Sequence, residues 1–169
     1  DRGLLTKLSH ICSNQTWTKN ITKSLKSHIA QILEHVTLAA DELMLEKVIN
    51  SRIFETSAGI PDLADEHSYY WALSNATFAA NEGQLEYLIR TNFHVQLAKG
   101  LIASDECNVT DKDLKIALCE GLKNIVSRAP KVKKDIPQVV LLLRKEISNS
   151  GDGDVQSLAM RLVQLLTES

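Results

Sequence analysis

Apolar residues recur every three or four positions along nearly the whole chain, the spacing that gathers them on one side of an α-helix. Leu4, Leu5, Leu8 and Ile11 form a first set, Ile21, Leu25, Ile29, Ile32, Leu33 and Val36 a second, and Leu43, Leu45, Val48 and Ile49 a third. The breaks between sets carry residues that start and stop helices. Asp41 is placed to cap the third set, Gly59-Ile60-Pro61 closes the segment after it, and Asp62 or Asp65 can open the helix bearing Tyr70, Trp71, Leu73 and Phe78. After Asn81-Glu82-Gly83 come Leu85, Leu88 and Ile89, then Val95, Leu97, Leu101 and Ile102. Ser104-Asp105-Glu106 reads as the start of a polar loop that reaches a cap at Thr110 or Asp111. Leu114, Ile116, Leu118, Leu122 and Ile125 mark the next helix, which Pro130 ends. Ile136 to Ile147 and Val155 to Leu166 are the last two helices, parted by the loop Ser148-Asn149-Ser150-Gly151-Asp152-Gly153.

Seven Gly and three Pro in 169 residues leave long stretches without a chain breaker, so the expected class is all-α. At 44% hydrophobic and 24% charged residues, the chain can bury a core of one-domain size. Net charge is −2, and the densest basic cluster, Lys131, Lys133 and Lys134, reads as a solvated helix start after Pro130. Nucleic acid is therefore not an expected partner. No apolar run approaches the roughly 20 residues that cross a bilayer, so no membrane span is expected.

Cys12, Cys107 and Cys119 are too few and too scattered for a disulfide framework or a metal site, which points to a reducing compartment. Four Asn-x-Thr triplets, at Asn14, Asn20, Asn75 and Asn108, match the glycosylation sequon and read as chance because no signal segment accompanies them. The pattern enters a helix at Leu4 without a leader, so the chain is expected to be a piece of something longer. His28 and His35 lie on nearly one helical face beside Glu34, but His10, His67 and His94 supply no third ligand at a metal-binding spacing. No phosphate loop, carboxylate pair or nucleophile elbow is present, and neither Cys12 near His10 nor Cys119 beside Glu120 sits in a thiol-enzyme signature. Neither catalysis nor a cofactor is expected.

The helical segments also repeat. Ala30 to Val36, Trp71 to Thr77 and Glu120 to Val126 hold the same place before a following loop and helix, at spacings of 41 and 49 residues. Helix triplets of the HEAT and armadillo type recur at about 40 to 47 residues, each unable to cover its apolar face except by stacking on the next. The expected fold is an all-α, right-handed α-α superhelix, an armadillo-repeat solenoid of about four units near 1–38, 39–80, 81–128 and 129–169, forming one domain. Within it, Trp71 and Asn75 stand one turn apart on one helical face. An indole there offers a wall and a negative ring face to a cationic stem, and a carboxamide offers both donor and acceptor to an extended backbone.

Trp71-Ala72-Leu73-Ser74-Asn75-Ala76-Thr77 resembles the third-helix signature of importin-alpha, the armadillo adaptor of nuclear import. Val48 to Phe54 is similar to that family's helix-to-helix turn, Gln84 to Ile89 to the first helix of the next repeat, and Leu118 to Ile125 to its late repeat without Trp. The resemblance implies the C-terminal part of such an adaptor, with a concave groove holding Lys/Arg-rich nuclear localisation peptides. It implies peptide-binding roles for Trp71, Asn75, Glu120 and Asn124. It also implies an importin-beta-type carrier bound through a segment absent here, an export and recycling factor on the last repeat, and shuttling between cytoplasm and nucleus. In the preceding repeat Ala30 and Glu34 are aligned with the Trp and Asn, which leaves Glu34 as an extra cation partner, and Ser68 stands where the family has an acid. The other expectation is an armadillo scaffold that holds a structured partner.

Overall fold

The computed structural model describes residues 2–13, 22–57, 60, 67–106, 112–128 and 137–167, and these are all helix, turn or loop. They form ten helices: α1 (Arg2–Ser13), α2 (Lys23–Leu38), α3 (Glu42–Asn50), α4 (Ile53–Ser57), α5 (His67–Ala79), α6 (Glu82–Arg90), α7 (Phe93–Glu106), α8 (Lys112–Arg128), α9 (Pro137–Asn149) and α10 (Gly153–Thr167). No strand occurs among the described residues. The chain divides into two compact units, Asp1–Gln84 and Leu85–Ser169, with the division in the first turn of α6.

In the first unit α2 packs along α5, α1 lies on α4, and α3 touches both α4 and α5. The starts of α2, α3 and α6 are each built by a side chain. Thr22 accepts from the Leu25 amide at 3.3 Å and Asp41 from the Met44 amide at 2.7 Å, satisfying donors that a helix leaves unpaired in its first turn. Asn81 and Gln84 form a reciprocal capping box, with the Gln84 amide donating to Asn81 Oδ1 at 2.9 Å and the Asn81 amide to Gln84 Oε1 at 3.1 Å. Asn81 Nδ2 also donates to Glu42 Oε1 at 2.5 Å, and Gln84 Nε2 to the Glu42 carbonyl at 3.0 Å. The corner after α5 is thereby tied to the corner after α2. Ile29, Leu33, Leu45, Val48, Ile53, Tyr69 and Leu73 fill the interior of this unit.

In the second unit α7 packs on α8 and α9, and α10 packs on α8 and α9. Leu97, Leu101, Leu118, Leu122, Ile125, Leu143, Val155 and Leu162 are its core. Asp152 Oδ1 accepts from the amides of Asp154 and Val155 to start α10. Lys112, at the start of α8, reaches Asp154 at 2.5 Å and Asp152 at 3.2 Å. The Val155 amide, with help from Lys112, holds the Asp152 carboxyl below the usual carboxylate range, while Asp154 and then Asp152 raise Lys112.

One local motif recurs 40 residues apart. Arg52 and Asn92 both adopt positive φ, at 56° and 62°. Arg52 donates to the Ile49 carbonyl at 2.9 Å and its own carbonyl accepts from Thr56; Asn92 donates to the Ile89 carbonyl at 2.9 Å and its carbonyl accepts from Gln96. Around these turns Leu45 and Leu85, Val48 and Leu88, and Ile53 and Phe93 are buried in pairs, and Asp41 and Asn81 cap the helices that enter them. Such recurrence is compatible with an α-solenoid.

Three expectations need correcting. Ser104, Asp105 and Glu106 belong to α7 and not to a loop, since no Gly or Pro interrupts that stretch and a polar last turn is tolerated at a helix end. Ser148 and Asn149 complete α9, and Gly153 already belongs to α10, so the loop shrinks to Ser150–Asp152. Phe78 and Leu43, placed in apolar sets by spacing, are 55% and 60% exposed. The caps expected at Asp62 or Asp65 and at Thr110 or Asp111, and the stop at Pro130, lie outside the described residues.

Candidate peptide-binding stripe

α5 is covered on most of its circumference: Tyr69, Tyr70, Ala72, Leu73, Ser74, Ala76 and Thr77 are all buried. The side that stays open is the line His67, Trp71, Asn75 and Phe78, whose spacings of four, four and three residues keep them within one face. Trp71 and Asn75 are half-buried, and Phe78 is open. His67 meets the Trp71 indole edge-on, with ring centroids 6.5 Å apart at 67°. Asn75 Nδ2 is shut off from solvent and has no hydrogen-bond partner among the described residues. Buried amide nitrogens are nearly always paired, so this one marks an unmet donor on the stripe. Ser68, beside this line, is half-buried and offers no charge.

The burial pattern of α8 follows that of α5 at a spacing of 49. Leu118 and Cys119 are buried, Glu120 is half-buried, Gly121 and Leu122 are buried, Asn124 is half-buried, and Ile125 and Val126 are buried. Glu120 and Asn124 thus occupy on α8 the places that Trp71 and Asn75 occupy on α5. Glu120 already has a cation: Lys123 Nζ reaches its carboxylate at 2.9 Å. Ser74, the residue matching Lys123, is buried, so this ion pair belongs to α8 alone.

On α2 the same pattern appears at a spacing of 40, not 41. Ile29, Ala30, Leu33 and Thr37 are buried where Tyr69, Tyr70, Leu73 and Thr77 are buried. Gln31 and His35, both exposed, therefore take the places of Trp71 and Asn75, and Ala30 and Glu34 fall in the rows of Tyr70 and Ser74. A shift of one residue turns a helix by about 100°, which moves Glu34 beside the open stripe instead of onto it. Glu34 itself is half-buried. His35 Nδ1 bonds the Gln31 carbonyl at 2.7 Å and His28 Nδ1 the Ser24 carbonyl at 2.5 Å, so each ring is oriented by its own helix. Glu34, Trp71 and Asn75 lie in the first unit, and Glu120 and Asn124 in the second.

Leu38, absent from the apolar sets, and Phe78, placed there as a core residue, are the residues of this face whose exposure spacing did not reveal. Each stands three residues before the cap of the following helix, Asp41 and Asn81, and that shared offset is the signal that would have found them. Elsewhere in the first unit a groove of about 390 Å³ runs between α1 and α3, lined by Leu5, Thr6, Leu43, Met44, Glu46 and Lys47 among others. None of the expected site residues touches it. Among the described residues no group of three or more His, Cys, Asp or Glu is placed to hold a metal ion. No helix among them is long and apolar enough to cross a membrane. Neither a protein-family model nor a curated protein sequence matches the chain.

Proposed function

We propose that the chain is a non-enzymatic binding module that holds extended Lys/Arg-rich peptides along the open stripe of α5, as the C-terminal armadillo repeats of a nuclear import adaptor do. The observation that carries this reading is the pairing on one stripe of a half-buried indole and a carboxamide whose nitrogen lacks a partner. Turning the Asn75 side chain outward would bring that nitrogen to a peptide carbonyl, the acceptor it needs, and an aliphatic stem with a terminal cation suits the indole face. Glu120 and Asn124 repeat the arrangement on α8 with an acid in place of the ring. Each cation contact is worth about 0.5 to 2 kcal/mol, so several must act together and added salt must weaken the complex.

On the same reading the units form a right-handed superhelix of armadillo repeats, and the protein shuttles between cytoplasm and nucleus with its cargo. An importin-beta-type carrier binds a segment outside this sequence. The recycling factor meets the last repeat, where Leu141, Met160 and Leu165 are exposed. The alternative is an armadillo-type scaffold for a structured partner. It is favoured by the Glu120–Lys123 ion pair and by Gln31 and His35, which put a carboxamide where α5 has its indole and an imidazole where α5 has its carboxamide.

Fluorescence anisotropy with a labelled Lys/Arg-rich localisation peptide separates the two. Binding at low salt that is lost in Trp71→Ala and in Asn75→Ala, with the helical circular dichroism unchanged, supports the adaptor. Equal affinity in both variants, or no binding by the parent chain, leaves the scaffold.

A further inference from the structure

The open stripe of α5 ends at Phe78, and the matching position of α2 is Leu38. Leu38 is 70% exposed and Phe78 is 55% exposed. Single exposed apolar side chains are ordinary on a protein surface. These two are not independent. α2 and α5 pack side by side, and the corners that follow them are joined by the bonds from Asn81 and Gln84 to Glu42. The helices therefore end together, with Leu38 and Phe78 exposed at matching positions of that end, where side by side they would make an apolar ledge.

The rim of the ledge is acidic. Asp41, Glu42 and Glu82 are exposed at the two corners. From Glu34 to Glu46, and between Arg52 and Arg90, the sequence contains no Lys or Arg. Asp41 and Glu42 also serve the start of α3, and Glu82 that of α6, which accounts for three acids but not for two uncovered hydrophobic side chains. The surface complementary to both is an apolar side chain flanked by cations.

We infer that the peptide held on the α5 stripe carries an apolar residue beside its basic run, and that this residue seats on Leu38 and Phe78 while its cationic neighbours face Glu42 and Glu82. The inference rests on the peptide-binding reading above and narrows its ligand to a basic peptide with an apolar anchor. The dimensions agree. Phe78 is three residues along the helix from Asn75, about 4.5 Å of rise, so a side chain of a strand lying over Asn75 can reach the ledge. Packed helix axes lie about 8 to 10 Å apart, the length of about three extended residues, so one anchor and its two neighbours span both helices.

The test uses the full chain and two labelled peptides of equal length and charge, one of Lys, Arg, Gly and Ser only, the other with a Leu or Phe directly beside the basic run. The anchored peptide is expected to bind about tenfold more tightly, the gain from partly covering one such side chain. Leu38→Ser, which lies off the α5 stripe, is expected to remove most of that preference without changing the affinity of the plain peptide, and Phe78→Ser to weaken the anchored peptide more than the plain one. Glu82→Gln is expected to weaken both peptides and flatten their salt dependence. Equal affinity of the two peptides for the parent chain, with binding still lost in Trp71→Ala, overturns the anchor and leaves the stripe standing. A preference that survives both Ser variants overturns it as well. Failure of both peptides to bind removes the stripe and the anchor together.

Discussion

Single residues set the finest requirements in this molecule. Arg52 and Asn92 both hold the left-handed conformation, which costs a residue with a Cβ roughly 1 kcal/mol and costs Asn less because its short amide tolerates the region. Arg52→Gly should raise stability by up to about 1 kcal/mol, and Asn92→Gly by less, as read from urea midpoints. The Cys12 thiol is buried, and loss of solvent pushes its pKa up to about 11. In a Cys107→Ser background at pH 8, Cys12 should resist a thiol reagent until the chain is unfolded. Trp71 and Asn75 were legible as a pair from their spacing alone. That Asn75 would keep its nitrogen covered and unpaired was not legible, because amide orientation depends on what neighbouring helices place around it.

Helices and their caps carry the next scale. The capping box of Asn81 and Gln84 starts α6 and also fastens the α5 corner to Glu42. Asn81→Ala removes the cap and the tie together and should cost about 1 to 2 kcal/mol in a denaturant melt, more than Thr22→Ala, which removes a cap alone. Gly83 has room for a Cβ, its nearest neighbour being Asn81 Oδ1 at 3.6 Å. Gly83→Ala should therefore stabilise α6 by about 0.5 kcal/mol, seen as a higher urea midpoint. The Asp41 cap and the short break at Asn81 could be read from residue type, since a side-chain oxygen one position before an apolar set is a local signal, whereas the turn at Arg52 carries no such signal. The end of α7 could not, because Ser104-Asp105-Glu106 looks the same in a last helical turn and in a loop.

At the scale of the whole molecule, burial of ionisable groups gives stability a defined alkaline limit. Cys12 rises from 9.0 to about 11, and Tyr69 from 10.0 to about 12, the latter by burial opposed by a hydrogen bond with Ser57. In both cases the folded state holds a proton that the unfolded chain releases at lower pH. Their contribution is complete below pH 9 and is lost as pH rises through 11 and then 12. Thermal midpoints should accordingly fall from pH 9 upward, and Tyr69→Phe should flatten the upper part of that fall. Hydrogen exchange should be slowest in α5 and α8, the helices covered on most sides, and faster in α1, whose Leu4 and Ile11 are open.

Sequence by itself determined the helical class, because apolar spacing of three and four residues has one regular solution and few Gly or Pro interrupt it. It also determined that Asp41 starts α3, and that Trp71 and Asn75 share a face. Tertiary structure decided which apolar residues are covered, leaving Leu38, Leu43 and Phe78 open, and it set α2 in register with α5 at 40 residues instead of 41. The reason is that periodicity tells only that a helix has an apolar side. Which neighbour covers that side, and through what rotation, is settled by contacts between segments far apart in the chain, where one residue of shift turns every side chain by about 100°.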